Sequence, residues 1–156
     1  MKLKVSKIRE GAKLPVRAHP TDAGMDLFYC PAEDYTTFIG SKEIRIPVNS
    51  GAVIPTGLKI GVPPGYMLEI KNKSGVASKM QLVTGACVVD SGYDGEVFVN
   101  LHNVGERARV VQPGQKIAQG VFVKVEQPML IEISDDNIYG GKTLRGDGAL
   151  GSTGDF

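Results

Sequence analysis

Apolar and polar residues alternate along much of this chain with a period of two. Leu3 and Val5 alternate with Lys2 and Lys4, and Ile44, Ile46 and Val48 with Glu43, Arg45 and Pro47. Val97, Val99 and Leu101 alternate with Glu96, Phe98 and Asn100. Successive side chains of a strand point to opposite faces, so the pattern predicts half-buried β-strands. Ile117, Gly120–Val125 and Met129–Ile133 add further β-rich runs. Pro47 cannot donate to a ladder and favours an edge position for its strand. Turn signals separate the runs: Asn49-Ser50-Gly51, Pro63-Pro64-Gly65, Ser91-Gly92, Asp94-Gly95, Val104-Gly105-Glu106 and Gln112-Pro113-Gly114. Their spacing of about 8–12 residues predicts an antiparallel sandwich or barrel. One short helix is expected, from Gly75 to about Leu82. Neither an internal repeat nor a second domain is visible. The expected organisation is a β body over 1–133 followed by an arm over 134–156, where six glycines fall between Gly140 and Phe156.

Composition narrows the function classes. The 156 residues include 20 glycines and nine prolines, too many breakers for a chain of long helices. With 42% hydrophobic and 22% charged residues, the chain can build a core. Eighteen Lys and Arg stand against 17 Asp and Glu, which argues against a nucleic-acid partner but leaves room for a small anion. No apolar run is long enough for a membrane span. Two cysteines make no disulfide framework, and lysines stand where a signal peptide would be apolar, so a cytoplasmic protein is expected, in the host cytoplasm if the chain is viral.

Several motifs dissolve on inspection. Gly140-Gly141-Lys142-Thr143 resembles the end of a phosphate-binding loop, but the earlier glycine would fall at Asp136. Asp90–Glu96 has the wrong acidic spacing for a calcium loop. His19 and His102 lack partners at metal-ligand spacing, and Cys30 and Cys87 lack a nearby His or a second Cys.

Four segments carry more chemistry. Ala23-Gly24-Met25-Asp26-Leu27 sets a carboxylate in an apolar stretch. Lys71-Asn72-Lys73-Ser74-Gly75 sets two cations and a hydroxyl where a strand gives way to the short helix, a setting suited to an anion. Cys87–Tyr93 ends an apolar run on Asp90 and brings an aromatic three residues on. The tail adds Arg145 and Gly151-Ser152-Thr153-Gly154.

In order and spacing these segments resemble the motifs of the homotrimeric dUTPases, the deoxyuridine triphosphate nucleotidohydrolases. Ala23–Leu27 is similar to the first motif, and Lys73-Ser74-Gly75 to the second, where Arg-Ser-Gly is usual. Cys87–Glu96 matches the third, a Gly-Val-Ile-Asp followed by a Tyr-x-Gly turn. Gly114–Gln119 stands for Gly-Asp-Arg-Ile-Ala-Gln, and Arg145–Gly154 for the glycine-rich fifth motif.

The resemblance implies an all-β jelly roll that assembles as a homotrimer, each active site shared between subunits and closed by a neighbour's tail. It implies hydrolysis of dUTP to dUMP and pyrophosphate, which keeps uracil out of DNA and supplies dUMP for thymidylate synthesis. Asp90 would be the base that orients the attacking water, and Tyr93 would pack under the deoxyribose. The hairpin through Ala86, Cys87 and Val88 would read uracil with its main chain. Lys73, Ser74, Gly75 and Gln119 would lie along the phosphates, with Lys73 alternatively bracing the trimer. Mg²⁺ would be held mainly by phosphate oxygens, with Asp26 reaching it through water or bracing the site. Arg145 would fork the γ-phosphate, Gly151, Ser152 and Thr153 would donate to it, and Leu150 would cover the base.

Five positions depart from the family pattern. Lys73 replaces Arg, Cys87 replaces Gly, Leu150 replaces Phe, and Gln115-Lys116 replaces Asp-Arg. Those at Lys73, Cys87 and Leu150 motivate one alternative, a non-catalytic regulatory binder of the same fold. The other, the related dCTP deaminase, would need a catalytic glutamate beside the base, a context that neither Glu69 nor Glu96 has in the sequence.

Overall fold

A computed structural model of the chain describes residues 2–33, 41–134 and 138–149. The chain divides into two units, Met1–Glu126 and Gln127–Phe156. All regular elements described lie in the first: β1 (Lys4–Lys7), β2 (Met25–Phe28), β3 (Ile44–Ile46), β4 (Gly51–Pro55), β5 (Leu58–Gly61), β6 (Tyr66–Lys71), α1 (Ser74–Met80), β7 (Leu82–Thr84), β8 (Val88–Val89), β9 (Phe98–Asn103), β10 (Arg109–Val111) and β11 (Lys116–Lys124). The expected all-β jelly roll with one short helix is what the chain builds.

Every strand pairing is antiparallel, among the described residues. β2-β11-β6-β8 form a four-stranded sheet and β4-β9-β7 a three-stranded one; β1 pairs with β5, and β3 with β10. The alternation predicted this burial closely. In β9 and just before it, Val97, Val99 and Leu101 are buried while Phe98 is exposed. In β3, Ile44 and Ile46 are buried on either side of exposed Arg45. This strand stops short of Pro47 and has one partner, as an edge strand must. Inward residues from all four sheets, such as Leu27, Ile46, Ile54, Leu68 and Leu101, join one apolar cluster.

Three expectations change. The helix begins one residue earlier, at Ser74, and ends at Met80, where Gln81 takes a left-handed conformation with φ 54° and stops it. Ile117 and the run from Gly120 belong to one nine-residue strand, β11. Met129–Ile133 forms no strand within its unit. Extended backbone is stable only when its amides find a partner strand, and Met129, Leu130 and Ile131 stand 87%, 92% and 76% exposed.

β11 carries the irregularity that matters most. Lys116 pairs with Phe28 and Ala118 with Leu27, so Ile117 is the extra residue of a β-bulge. Ile117 and Ala118 are consequently buried in succession, at 1% and 0% exposure. A regular strand would send Lys116 and Gln119 to opposite faces; the bulge gives them the same one.

Leu68, fully buried in β6, is the direct partner of Val89 on the strand that leads to Asp90. Leu68→Ala is expected to lower unfolding stability by about 2–5 kcal/mol, read as a shift of the urea midpoint with little change in slope.

Candidate functional site

The four-stranded sheet gathers the segments that the chain keeps far apart. Its order β2-β11-β6-β8 sets the segment around Asp26 beside Gly114–Gln119, then Lys71–Gly75, then Cys87–Asp90. On β11, Gln119 lies opposite Asp26 on one side and Lys71 on the other.

At this crossing Asp26 is 5% exposed. Lys73 Nζ donates to its Oδ1 at 2.7 Å. Lys116 Nζ lies 2.7 Å from Oδ2 as an ion pair. Burial alone would raise the Asp26 pKa; the hydrogen bonds and charges of Lys116 and Lys73 outweigh it and hold the carboxyl below its ordinary value. The lysine side chains remain 31% and 45% exposed, so the cluster carries a net positive charge to the surface.

Gln119 completes this end. Its Nε2 donates to the Asn72 carbonyl at 2.9 Å. A Cβ on Gly24 would overlap Gln119 Oε1 and Cδ, so only glycine lets the amide lie there. Ser74 and Gly75 open α1 with exposed residues and no acidic side chain in the first turn.

Asn72 links this end to the hairpin that follows β7. Its Oδ1 accepts from Thr84 N–H at 2.7 Å and from the Thr84 hydroxyl at 3.1 Å. Beyond it, Ala86, Val88, Asp90, Tyr93, Glu96 and Asn100 line a cleft of about 560 Å³ together with Val53 and Phe98. Asp90 stands exposed directly after β8, where its carbonyl accepts from Tyr93 N–H at 3.3 Å. Tyr93 is 48% exposed.

The hairpin's main chain is partly spoken for. Ala86 N–H donates to Asn100 Oδ1 at 3.2 Å, and the Cys87 carbonyl accepts from Ile70 N–H at 2.7 Å. These two groups hold the hairpin, which narrows the expected main-chain reading of a base to the groups that remain. The Glu96 carboxylate is likewise occupied. Arg9 Nη1 donates to Oε1 at 2.8 Å, and Gly57 N–H donates to the same oxygen at 2.6 Å.

Among the described residues, no group of three His, Cys, Asp or Glu could hold a metal ion. Asp26 already faces two ammonium groups, so a bare divalent cation would meet like charge there. The described residues fit an Mg²⁺ that arrives on phosphate oxygens with its waters.

In the second unit, Arg145 Nε donates to the Gly148 carbonyl at 3.2 Å. Leu150, Gly151, Ser152 and Thr153 lie outside the described residues. No helix among the described residues is long and apolar enough to cross a membrane. Sequence reasoning missed Asn72, Asn100, Arg9 and the pairing of Lys116 with Asp26. Asn72 was visible only as a polar neighbour of Lys73, and Asn100 as an outward position of an alternating strand.

The known proteins that this chain is similar to are dUTPases. The family model described as dUTPase matches residues 10–154. The chain is 38% identical over 151 residues to a deoxyuridine 5'-triphosphate nucleotidohydrolase of Arabidopsis thaliana, covering 97% of this chain and 82% of the relative. Among solved structures it resembles a mutant dUTPase of Staphylococcus bacteriophage 80alpha with dUpNHpp, with TM-score 0.82, 26% identity and 98% of each chain covered. A mutant dUTPase of phage phi11 of S. aureus, described with a structural Mg(II) ion, gives TM-score 0.73 at 26% identity, over 86% of this chain and 98% of that one.

The lowered Asp26 pKa has a stability consequence of definite sign. The folded value lies below the unfolded one, so the pair's contribution is complete above about pH 4 and is lost as pH falls through the folded value. Asp26→Asn is expected to destabilise the protein by about 1–3 kcal/mol at neutral pH. The difference from the parent should narrow as urea titrations move into acid.

Proposed function

The chain belongs to the dUTPase family, and from that premise we propose that it hydrolyses dUTP to dUMP and pyrophosphate. The observation that carries this reading is one cleft holding both Asp90 and Tyr93 beside the Ala86–Val88 hairpin, on the sheet that also brings Gln119 and the Lys73–Asp26–Lys116 cluster together.

Asp90 orients a water against the α-phosphorus and takes its proton, and contacts the sugar 3′-hydroxyl. Its exposed place at the mouth of β8 leaves the carboxylate within reach of solvent. Tyr93 packs under the deoxyribose and leaves no space for a 2′-hydroxyl. The free main-chain groups around Cys87 and Val88 read uracil, where a cytosine amino group would leave buried polar atoms unpaired. Lys73 and Lys116 face the phosphates with the charge that Asp26 leaves uncompensated, and Ser74, Gly75 and Gln119 supply donors. Mg²⁺ carried by the triphosphate neutralises its oxygens. In this reading Asp26 braces the lysines and does not ligate the metal.

Three chains assemble, and the arm after Gln127 closes a neighbour's cleft with Arg145, Leu150, Gly151, Ser152 and Thr153. The exposed apolar run at Met129–Ile131 supports an arm that packs on another copy. The free cysteines, Cys30 and Cys87, suit the reducing cytoplasm. Glu96, engaged by Arg9 and Gly57, is unavailable as the glutamate that a dCTP deaminase requires.

With Mg²⁺, the protein should release pyrophosphate from dUTP and little from dCTP, dTTP or UTP. Asp90→Asn should lose about 10²–10⁴-fold in kcat. Ammonia release from dCTP, or tight dUTP binding without turnover, would overturn the reading. Light scattering should give three times the 16.7 kDa chain mass.

A further inference from the structure

The tyrosine of the cleft is held by a tether that begins outside it. Tyr93 OH donates to the Glu96 carbonyl at 3.0 Å. The ring folds back over Gly95, where an added Cβ would overlap the phenol oxygen and Cζ, so glycine at this place is what allows the contact. Glu96 is itself fixed from the far side. Its carboxylate receives both Nη atoms of Arg9 and the main-chain N–H of Gly57. Both side chains of the ion pair are 11% exposed, and Arg9 lies 87 residues away in sequence.

A planar guanidinium meeting a carboxylate through two parallel bonds fixes direction as well as distance. The loop from Asp90 to Glu96 otherwise contains a glycine at φ 85°, Gly92, and no regular element. One end of that loop is set by β8 and the other by this clamp. Tyr93 therefore has its backbone end carried by the loop and its phenol end carried by Glu96.

We propose that Arg9 and Glu96 are positioning residues for sugar selection: they hold the Tyr93 ring at the height that excludes a 2′-hydroxyl. The inference rests on the reading of the cleft as a deoxynucleotide site. Neither residue touches substrate; they act through Tyr93. Loosening the clamp lets the ring sink or tilt, which admits a ribose while leaving Asp90 in place at the end of β8. The loss therefore falls on discrimination more than on turnover of the deoxynucleotide.

The test is kcat and KM for dUTP and UTP in the full-length protein with Mg²⁺. Glu96→Gln keeps an acceptor for Gly57 but breaks the ion pair; Arg9→Lys keeps the charge but not the fork. Tyr93→Phe removes only the phenol tether. Each is expected to lower the dUTP-to-UTP ratio of kcat/KM by about 10-fold, chiefly through a lower KM for UTP. The Glu96→Gln, Tyr93→Phe double variant should lose no more than the larger single loss, since both cut one chain of contacts. Ile46→Val, a core change in β3, controls for lost stability and should leave the ratio unmoved. A parent that selects dUTP and a Glu96→Gln variant that keeps the ratio would overturn the inference alone. So would full additivity in the double variant, or an equal shift in Ile46→Val. A parent that turns over neither nucleotide would instead overturn the function on which the inference stands.

Discussion

A carboxylate that is 5% exposed cannot remain ionised without cations, and the way Asp26 meets that requirement organises the molecule's polar end. Its two ammonium partners come from different places: Lys73 from the turn after β6, and Lys116 from the first residue of β11. The ends of three neighbouring strands are thereby tied by charge as well as by main-chain bonds. Two cations on one anion leave an excess of positive charge, and the lysines are exposed enough to present it. The same contacts that neutralise a buried carboxylate thus prepare a surface suited to phosphate.

Amide side chains transmit this order to the cleft. Asn72 accepts two bonds from Thr84 and gives its carbonyl to Gln119, so the lysine cluster and the hairpin share one residue. Asn100 then supports the hairpin from β9, taking Ala86 N–H on the same Oδ1 that contacts His102 Nε2 at 2.9 Å. A hairpin held from both sides keeps its remaining main-chain groups in place before any ligand arrives, which lowers the ordering cost of binding.

Much of this was legible in the sequence because a strand's period is short and local. The alternation of Val97, Val99 and Leu101, the edge marked by Pro47 and the turn at Ser91-Gly92 all follow from neighbours within a few residues. Asp90 and Tyr93 could be singled out because their motif is contiguous. The tether from Arg9 to Glu96 could not, since it spans 87 residues and neither side chain is unusual where it stands. Nor could the partners of Asp26 be read: the choice between bracing and metal contact depends on which lysines the sheet order brings near. Met129–Ile133 misled for a related reason, because β propensity is local while a strand requires a partner.

The bulge at Ile117 gives the molecule an unusual relation between regularity and usefulness. Deleting that one residue would leave a smoother ladder between β2 and β11, of the kind that sheet geometry prefers. It would leave Lys116 and Gln119 two positions apart, still on one face and still opposite Phe28 and Asp26. What it would remove is the Ile117 side chain, which is 1% exposed in the apolar cluster, so the ladder would gain regularity and the core would lose volume. The bulge therefore lets the strand lend the core one more apolar side chain while the polar face that carries the charge cluster keeps its register.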